Sequence, residues 1–110
     1  MLRLMIVDDE QIIREALSSM IDYTSLGYEV IATAKNGMEA YDRIRDDYPD
    51  VVITDIKMPI LNGLELIERA SRIDSRITFI LLSGYGEFEY AKQAMTYGCL
   101  LYTSPSPRDA

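Results

Sequence analysis

Three short, unbroken apolar runs punctuate the chain: Leu4-Met5-Ile6-Val7, Val51-Val52-Ile53 and Phe79-Ile80-Leu81-Leu82. Each stops abruptly on polar residues. Asp8-Asp9-Glu10 follows the first, Asp55 stands two places beyond the second, and Ser83-Gly84 follows the third. Short runs that are apolar at every position and bounded by turn formers fit strands covered on both faces, as in a parallel sheet. The stretch from Tyr28 to Ala34 differs. There Val30, Ala32 and Ala34 alternate with Glu29, Ile31, Thr33 and Lys35, which predicts a less buried strand near an edge.

Helical periodicity fills the intervals. Ile13, Ala16, Leu17, Met20 and Ile21 fall on one stripe, and Ala40, Tyr41, Ile44 and Tyr48 form another after Asn36-Gly37. Leu66, Ile67, Ala70 and Ile73 form a third after Asn62-Gly63, with Asn62 placed to cap it. Ala91, Ala94 and Met95 make a fourth, which Gly98 is placed to end. Each stripe is expected to pack into the core. Strict strand–helix alternation with short connections predicts an α/β layered fold with right-handed crossovers. The flavodoxin-like strand order 2-1-3-4-5 would put ligands beyond the carboxyl ends of the strands, where the order reverses.

With 110 residues the chain has room for one domain, large enough to bury about two-thirds of its unfolded surface. Its single cysteine forms no internal disulfide, and the absence of histidine removes Ser-His-Asp and Cys-His catalysis and a conventional zinc site. Eleven basic against eighteen acidic residues leave a net charge of −7, which argues against direct nucleic-acid contact by this domain. No apolar run approaches the roughly 20 residues of a membrane helix. A soluble, cytoplasmic domain without membrane contact is expected.

The predicted topology puts Asp8, Asp9, Asp55 and Ser83 along one carboxyl edge. Three carboxylates gathered there repel one another and raise their pKa values. A hard divalent cation such as Mg²⁺, which takes oxygen ligands and phosphate, would relieve that repulsion. Such a site suits phosphoryl chemistry, with one carboxylate as nucleophile and a hydroxyl and backbone amides on the phosphoryl oxygens. The competing reading makes the aspartates turn formers, with Asp8 or Asp9 capping the helix that begins near Gln11.

The motifs Ile6-Val7-Asp8-Asp9-Glu10, Ile53-Thr54-Asp55-Ile56-Lys57-Met58-Pro59 with Asn62-Gly63, and Leu81-Leu82-Ser83-Gly84-Tyr85 together resemble the receiver domain of bacterial two-component response regulators. The resemblance implies that Asp55 accepts a phosphoryl group from the phosphohistidine of a sensor histidine kinase. It implies that Asp9, Asp55 and the backbone carbonyl of Lys57 hold Mg²⁺, with Asp8 acting mainly through bound water. Ser83 would be the switch hydroxyl, and the amide of Gly84 would meet the phosphoryl group. The segments from Asp22 to Val30 and from Ser83 to Ala91 resemble receivers of regulators with an AraC-type helix-turn-helix output domain, here outside the chain. A receiver homodimer through the fourth-helix face is a further implication. By this reading the domain is not an enzyme but a phosphoacceptor that controls transcription through its output domain. A Mg²⁺-dependent aspartyl phosphatase of the haloacid dehalogenase type is the alternative, although lysine at 57 breaks its Asp-x-Asp pattern. A flavodoxin-like FMN carrier fits less well, because no phosphate-cradling loop follows the first strand. A non-functional truncated fragment is the remaining alternative.

Receivers continue with a fifth strand, a Lys-Pro pair and a fifth helix. Here Cys99-Leu100-Leu101-Tyr102-Thr103 precedes Ser104-Pro105-Ser106-Pro107, with proline where the family has lysine. The expected division is therefore a receiver domain over 1–98, incomplete at its C-terminus, and an aberrant tail over 99–110. That tail is a makeshift fifth strand followed by disorder, and it resembles translated adapter sequence. A domain so altered is expected to be marginally stable.

Overall fold

The computed structural model describes residues 1–74, 76–83 and 100–103. The elements alternate as β1 (Leu2–Val7), α1 (Gln11–Ser19), β2 (Tyr28–Ala34), α2 (Gly37–Asp47), β3 (Val51–Asp55), α3 (Gly63–Ile73), β4 (Thr78–Ser83) and β5 (Leu100–Thr103). All five strands are parallel, in the order β2-β1-β3-β4-β5. This is the flavodoxin-like order expected from the strand–helix alternation. The fourth apolar stripe (Ala91, Ala94, Met95, Gly98), with the dimer face it would carry, lies outside the described residues, as do Gly84, Tyr85 and Pro105.

Side-chain alternation along the strands divides the core in two. Met5, Val7, Val52, Phe79 and Leu81 point to one face, where Ala40 and Ile44 of α2 and Leu66, Ile67 and Ala70 of α3 cover them. Leu4, Ile6 and Val51 point to the other face, toward Leu17 of α1 and Tyr23. The edge strand β2 departs from simple alternation. Leu4 pairs with Val30 but Met5 pairs with Ala32, so Ile31 has no counterpart. This one-residue bulge re-aims the strand. Val30 therefore joins the α1 side, while Ala32 and Ala34 join the α2/α3 side.

The helix starts follow local chemistry. Asn36 accepts the Glu39 N–H at 2.8 Å. Asn62 and Glu65 form a reciprocal capping box, with bonds of 2.9 and 3.1 Å. Tyr48, the left-handed C-cap that ends the second stripe, is 53% exposed, and the stripe of α1 is the larger exception to the expected packing. Ile13 is 37% exposed, Ile21 40% and Met20 80%, because α2 and α3 lie on the opposite face and α1 is the only described α-helix on its own.

Candidate functional site

The strand register brings the acidic residues together. Val7 pairs with Ala34 on one side and with Thr54 on the other, so Asp8 leaves β1 beside Asp55 at the end of β3. The Asp8 N–H still donates to the Ala34 carbonyl at 3.1 Å, which fixes its backbone to the sheet. Its carboxylate turns inward, 3% exposed, and Oδ1 accepts the Glu10 N–H at 2.9 Å. Glu10 caps α1 without a side-chain bond, so neither aspartate caps this helix. Asp9 points outward to solvent. One carboxylate oxygen of Asp55 accepts the Ile56 N–H at 2.8 Å. Asp8, Asp9 and Asp55 each present an oxygen, all within 4.8 Å of one another.

Burial pushes the Asp8 carboxyl above its ordinary pKa, and the charges of Asp9 and Glu10 push it the same way. The hydrogen bond from Glu10 N–H and the weaker pull of the Arg14 charge oppose that rise without cancelling it. Asp8 therefore ionises at a cost of the kind a hard cation beside it would lower.

An open cleft of about 400 Å³ adjoins the acids, lined by Asp9, Ile56, Lys57, Met58, Pro59 and Asn62. Its wall is the loop between β3 and α3. Gly63 N–H donates to the Ile56 carbonyl at 2.7 Å and Leu61 N–H donates to the Pro59 carbonyl at 2.8 Å. The second bond closes a three-residue γ-turn around Ile60, whose φ is +73°. A β-branched residue in the left-handed region carries strain on the order of 1–3 kcal/mol. Buried Met58 and Leu61 anchor the loop on either side of it. Two glycines let the helices approach this loop. A methyl group at Gly63 would run into the main-chain carbonyl of Asp55, and one at Gly37 into that of Leu61.

Of the candidate residues, Asp8, Asp9 and Asp55 meet, and Lys57 lies on the cleft beside Asp9. The backbone of Ser83 ends β4 one residue beyond Leu82, which is level with Asp55. Gly84 lies outside the described residues. Sequence reasoning missed Arg14, whose Nη1 donates to the Asp8 carbonyl at 2.8 Å. The available signal was a cation in the first turn of a helix directly after an acidic pair. A larger cleft of about 550 Å³ opens at the opposite, amino edge of the sheet, lined in part by Asp50, Asp74 and Arg76. Its acids are already engaged: Asp74 pairs with Arg76 at 3.1 Å, and Asp50 accepts the Arg3 N–H at 2.8 Å.

A parallel sheet with three acids at the carboxyl ends of its central strands is the arrangement of a signalling domain. The chain belongs to the response regulator receiver domain family, whose model matches residues 4–104. It is 48% identical over 102 residues to the transcriptional regulatory protein YesN of Bacillus subtilis, an alignment covering 93% of this chain and 28% of YesN. The chain thus spans little more than a quarter of that relative's length. Among solved structures it is similar to the REC domain of AraT, a response regulator from Geobacillus stearothermophilus. That match has 34% identity and a TM-score of 0.88, covering 96% of this chain and 82% of that one. It is also similar to a chain of the CheX–CheY–BeF3–Mg²⁺ complex from Borrelia burgdorferi, with 27% identity and a TM-score of 0.83 over 97% of this chain and 81% of that one. No described helix is long and apolar enough to cross a membrane.

Proposed function

We propose that Asp55 is the phosphoacceptor of a cytoplasmic, Mg²⁺-dependent signalling switch. The convergence of Asp8, Asp9 and Asp55 within 4.8 Å carries this reading. A carboxylate oxygen of Asp55 attacks the phosphorus of a phosphohistidine on a sensor histidine kinase. The N–P bond breaks, the imidazole leaves with the electron pair, and Asp55 becomes an acyl phosphate. The three acids fit Mg²⁺, since they form an all-oxygen donor set in which the Asp8 carboxylate is already destabilised by burial and, to a lesser degree, by its acidic neighbours. Asp9, Asp55 and the Lys57 carbonyl would hold the ion, with Asp8 acting through water. When bound, it would supply charge neutralisation for the transferring phosphoryl group. The Ser83 hydroxyl and the Gly84 amide are assigned to the phosphoryl oxygens. A solved neighbour of the same fold comes from a complex that contains BeF3 and Mg²⁺, which supports a Mg²⁺-dependent site in this fold.

The net charge of −7 suits a regulatory domain that leaves DNA contact to another part of a longer regulator. The likeness to YesN, named a transcriptional regulatory protein, supports transcription as the output. The test is incubation with acetyl phosphate and Mg²⁺ followed by intact-mass measurement. The expected result is a Mg²⁺-dependent gain of one phosphoryl group that Asp55→Ala abolishes. No gain in a folded sample, or a gain that survives Asp55→Ala, overturns the assignment.

A further inference from the structure

We infer that Arg14 is a positioning residue for the acidic site, fixing the peptide unit from which the Asp8 and Asp9 carboxylates diverge. This rests on the reading of Asp8, Asp9 and Asp55 as a divalent-cation site.

Arg14 sits in the first turn of α1 and is half-buried. Its own backbone is held at both ends: its N–H donates to the Glu10 carbonyl at 3.0 Å, and its carbonyl accepts the Ser18 hydroxyl at 2.7 Å. Its guanidinium donates to the main-chain carbonyl of Asp8 at 2.8 Å. Among the described residues Arg14 forms no ion pair, although it lies one helical turn from an acidic cluster. A half-buried guanidinium spent on a neutral carbonyl is a specific geometric commitment.

The Asp8 carbonyl and the Asp9 N–H belong to one planar peptide unit. Holding the oxygen therefore sets the direction of the Asp9 backbone as well. It also sets the splay of the two side chains, Asp8 inward and Asp9 outward. Repulsion among the carboxylates favours rotating this unit and spreading the acids apart. The Arg14 bond opposes that rotation.

Charge and position predict opposite signs here. As a bare positive charge Arg14 would repel an incoming cation, so removing it would tighten metal binding. As a positioning group it preorganises the oxygens, so removing it would weaken binding. Partners that orient metal ligands typically matter by 10–100-fold in affinity.

Mn²⁺ binding to the full chain, followed through the electron paramagnetic resonance signal of free Mn²⁺, separates the two. Arg14→Met is expected to weaken Mn²⁺ binding about tenfold. Arg14→Lys, which keeps a donor able to reach the carbonyl, should stay within about threefold of the wild type. Melting curves of the metal-free variants report any general loss of fold, which should be similar for the two. Should Arg14→Met not fold, Arg14→Gln decides, being neutral and too short to hold the carbonyl in the same way. Binding in either neutral variant that equals or exceeds the wild type's overturns the inference and leaves the site reading intact. Failure of the wild type itself to bind Mn²⁺ removes the site reading, and the inference with it.

Discussion

On the α2/α3 side of the sheet, Met5, Val7, Val52, Phe79 and Leu81 meet buried residues from two helices, and none of the five is more than 3% exposed. On the α1 side, Leu4, Ile6, Tyr23 and Val51 are buried, but Leu17, Ile53 and Ile80 are only partly covered. A small apolar cleft opens there among Leu4, Tyr23, Leu26, Tyr28, Val51, Ile53 and Ile80. The difference bears on the site, because its two halves are rooted in different faces. The loop after β3 is anchored in the well-packed side through Ile56, Met58 and Leu61. The acidic turn after β1 leads instead into α1, a helix with no fully buried residue. Asp55 thus stands on a rigid base, while the Asp8-Asp9 turn depends on local bonds such as those from Glu10 and Arg14.

Core truncations on the two sides should separate most widely. Leu66→Ala removes a fully buried side chain from α3 and is expected to destabilise by about 3 kcal/mol in urea unfolding. Ile13→Ala, on the stripe of α1, should cost less than about 1 kcal/mol, since that side chain remains partly in water. Equal losses would mean that α1 is as tightly packed in solution as α3, and the contrast between the faces would fail.

The strands were legible because a central parallel strand must be apolar on both sides. β1 and β3 therefore stand out as unbroken runs that end on their acids. The site was legible for the same reason, since the topology alone places Asp8, Asp9 and Asp55 at one edge. The burial of α1 was not legible. A helical stripe encodes which way a helix faces, but not whether a neighbour covers its flanks. The bulge at Ile31 was hidden too, because Val30, Ala32 and Ala34 read as one face in the sequence, although the extra residue puts Val30 opposite the two alanines. Arg14 was invisible to periodicity, since its partner is a main-chain carbonyl that no side-chain pattern reports. Gly37 and Gly63 were visible only as helix starts. Their role as close-approach points appears once the Leu61 and Asp55 carbonyls are seen against them.

Gly63→Ala tests how firmly the packed side holds Asp55. The added methyl meets the Asp55 carbonyl, so either α3 or the end of β3 must shift, at about 2 kcal/mol. The expected outcome is a folded variant with a lower unfolding midpoint and a disproportionate loss of acetyl-phosphate labelling. Unchanged labelling would show that α3 yields and that Asp55 does not depend on this contact.

The smallest effect probes the acidic turn through pH. Burial raises the Asp8 pKa in the folded state above its unfolded value of 3.8, so the folded protein binds the proton more tightly than the unfolded chain. Below about 3.8 the carboxyl is protonated in both states, and Asp8 carries no penalty. As pH rises from there through the raised folded value, the folded state must ionise a buried acid beside Asp9, and stability falls. Asp8→Asn can keep the acceptor for the Glu10 N–H and never ionises. In EDTA at neutral pH it should melt a few degrees above the wild type, since about 1 kcal/mol moves a domain of this size by roughly 4–8 °C. The two melting curves should converge as the pH is lowered toward 3.8. Added Mg²⁺ should raise the wild type more than Asp8→Asn, because only the wild type has the full negative charge to neutralise. A variant no more stable than the wild type in EDTA at neutral pH would mean that water reaches Asp8 well enough to carry its charge. The acidic turn would then be looser than the bonds from Glu10 and Arg14 imply.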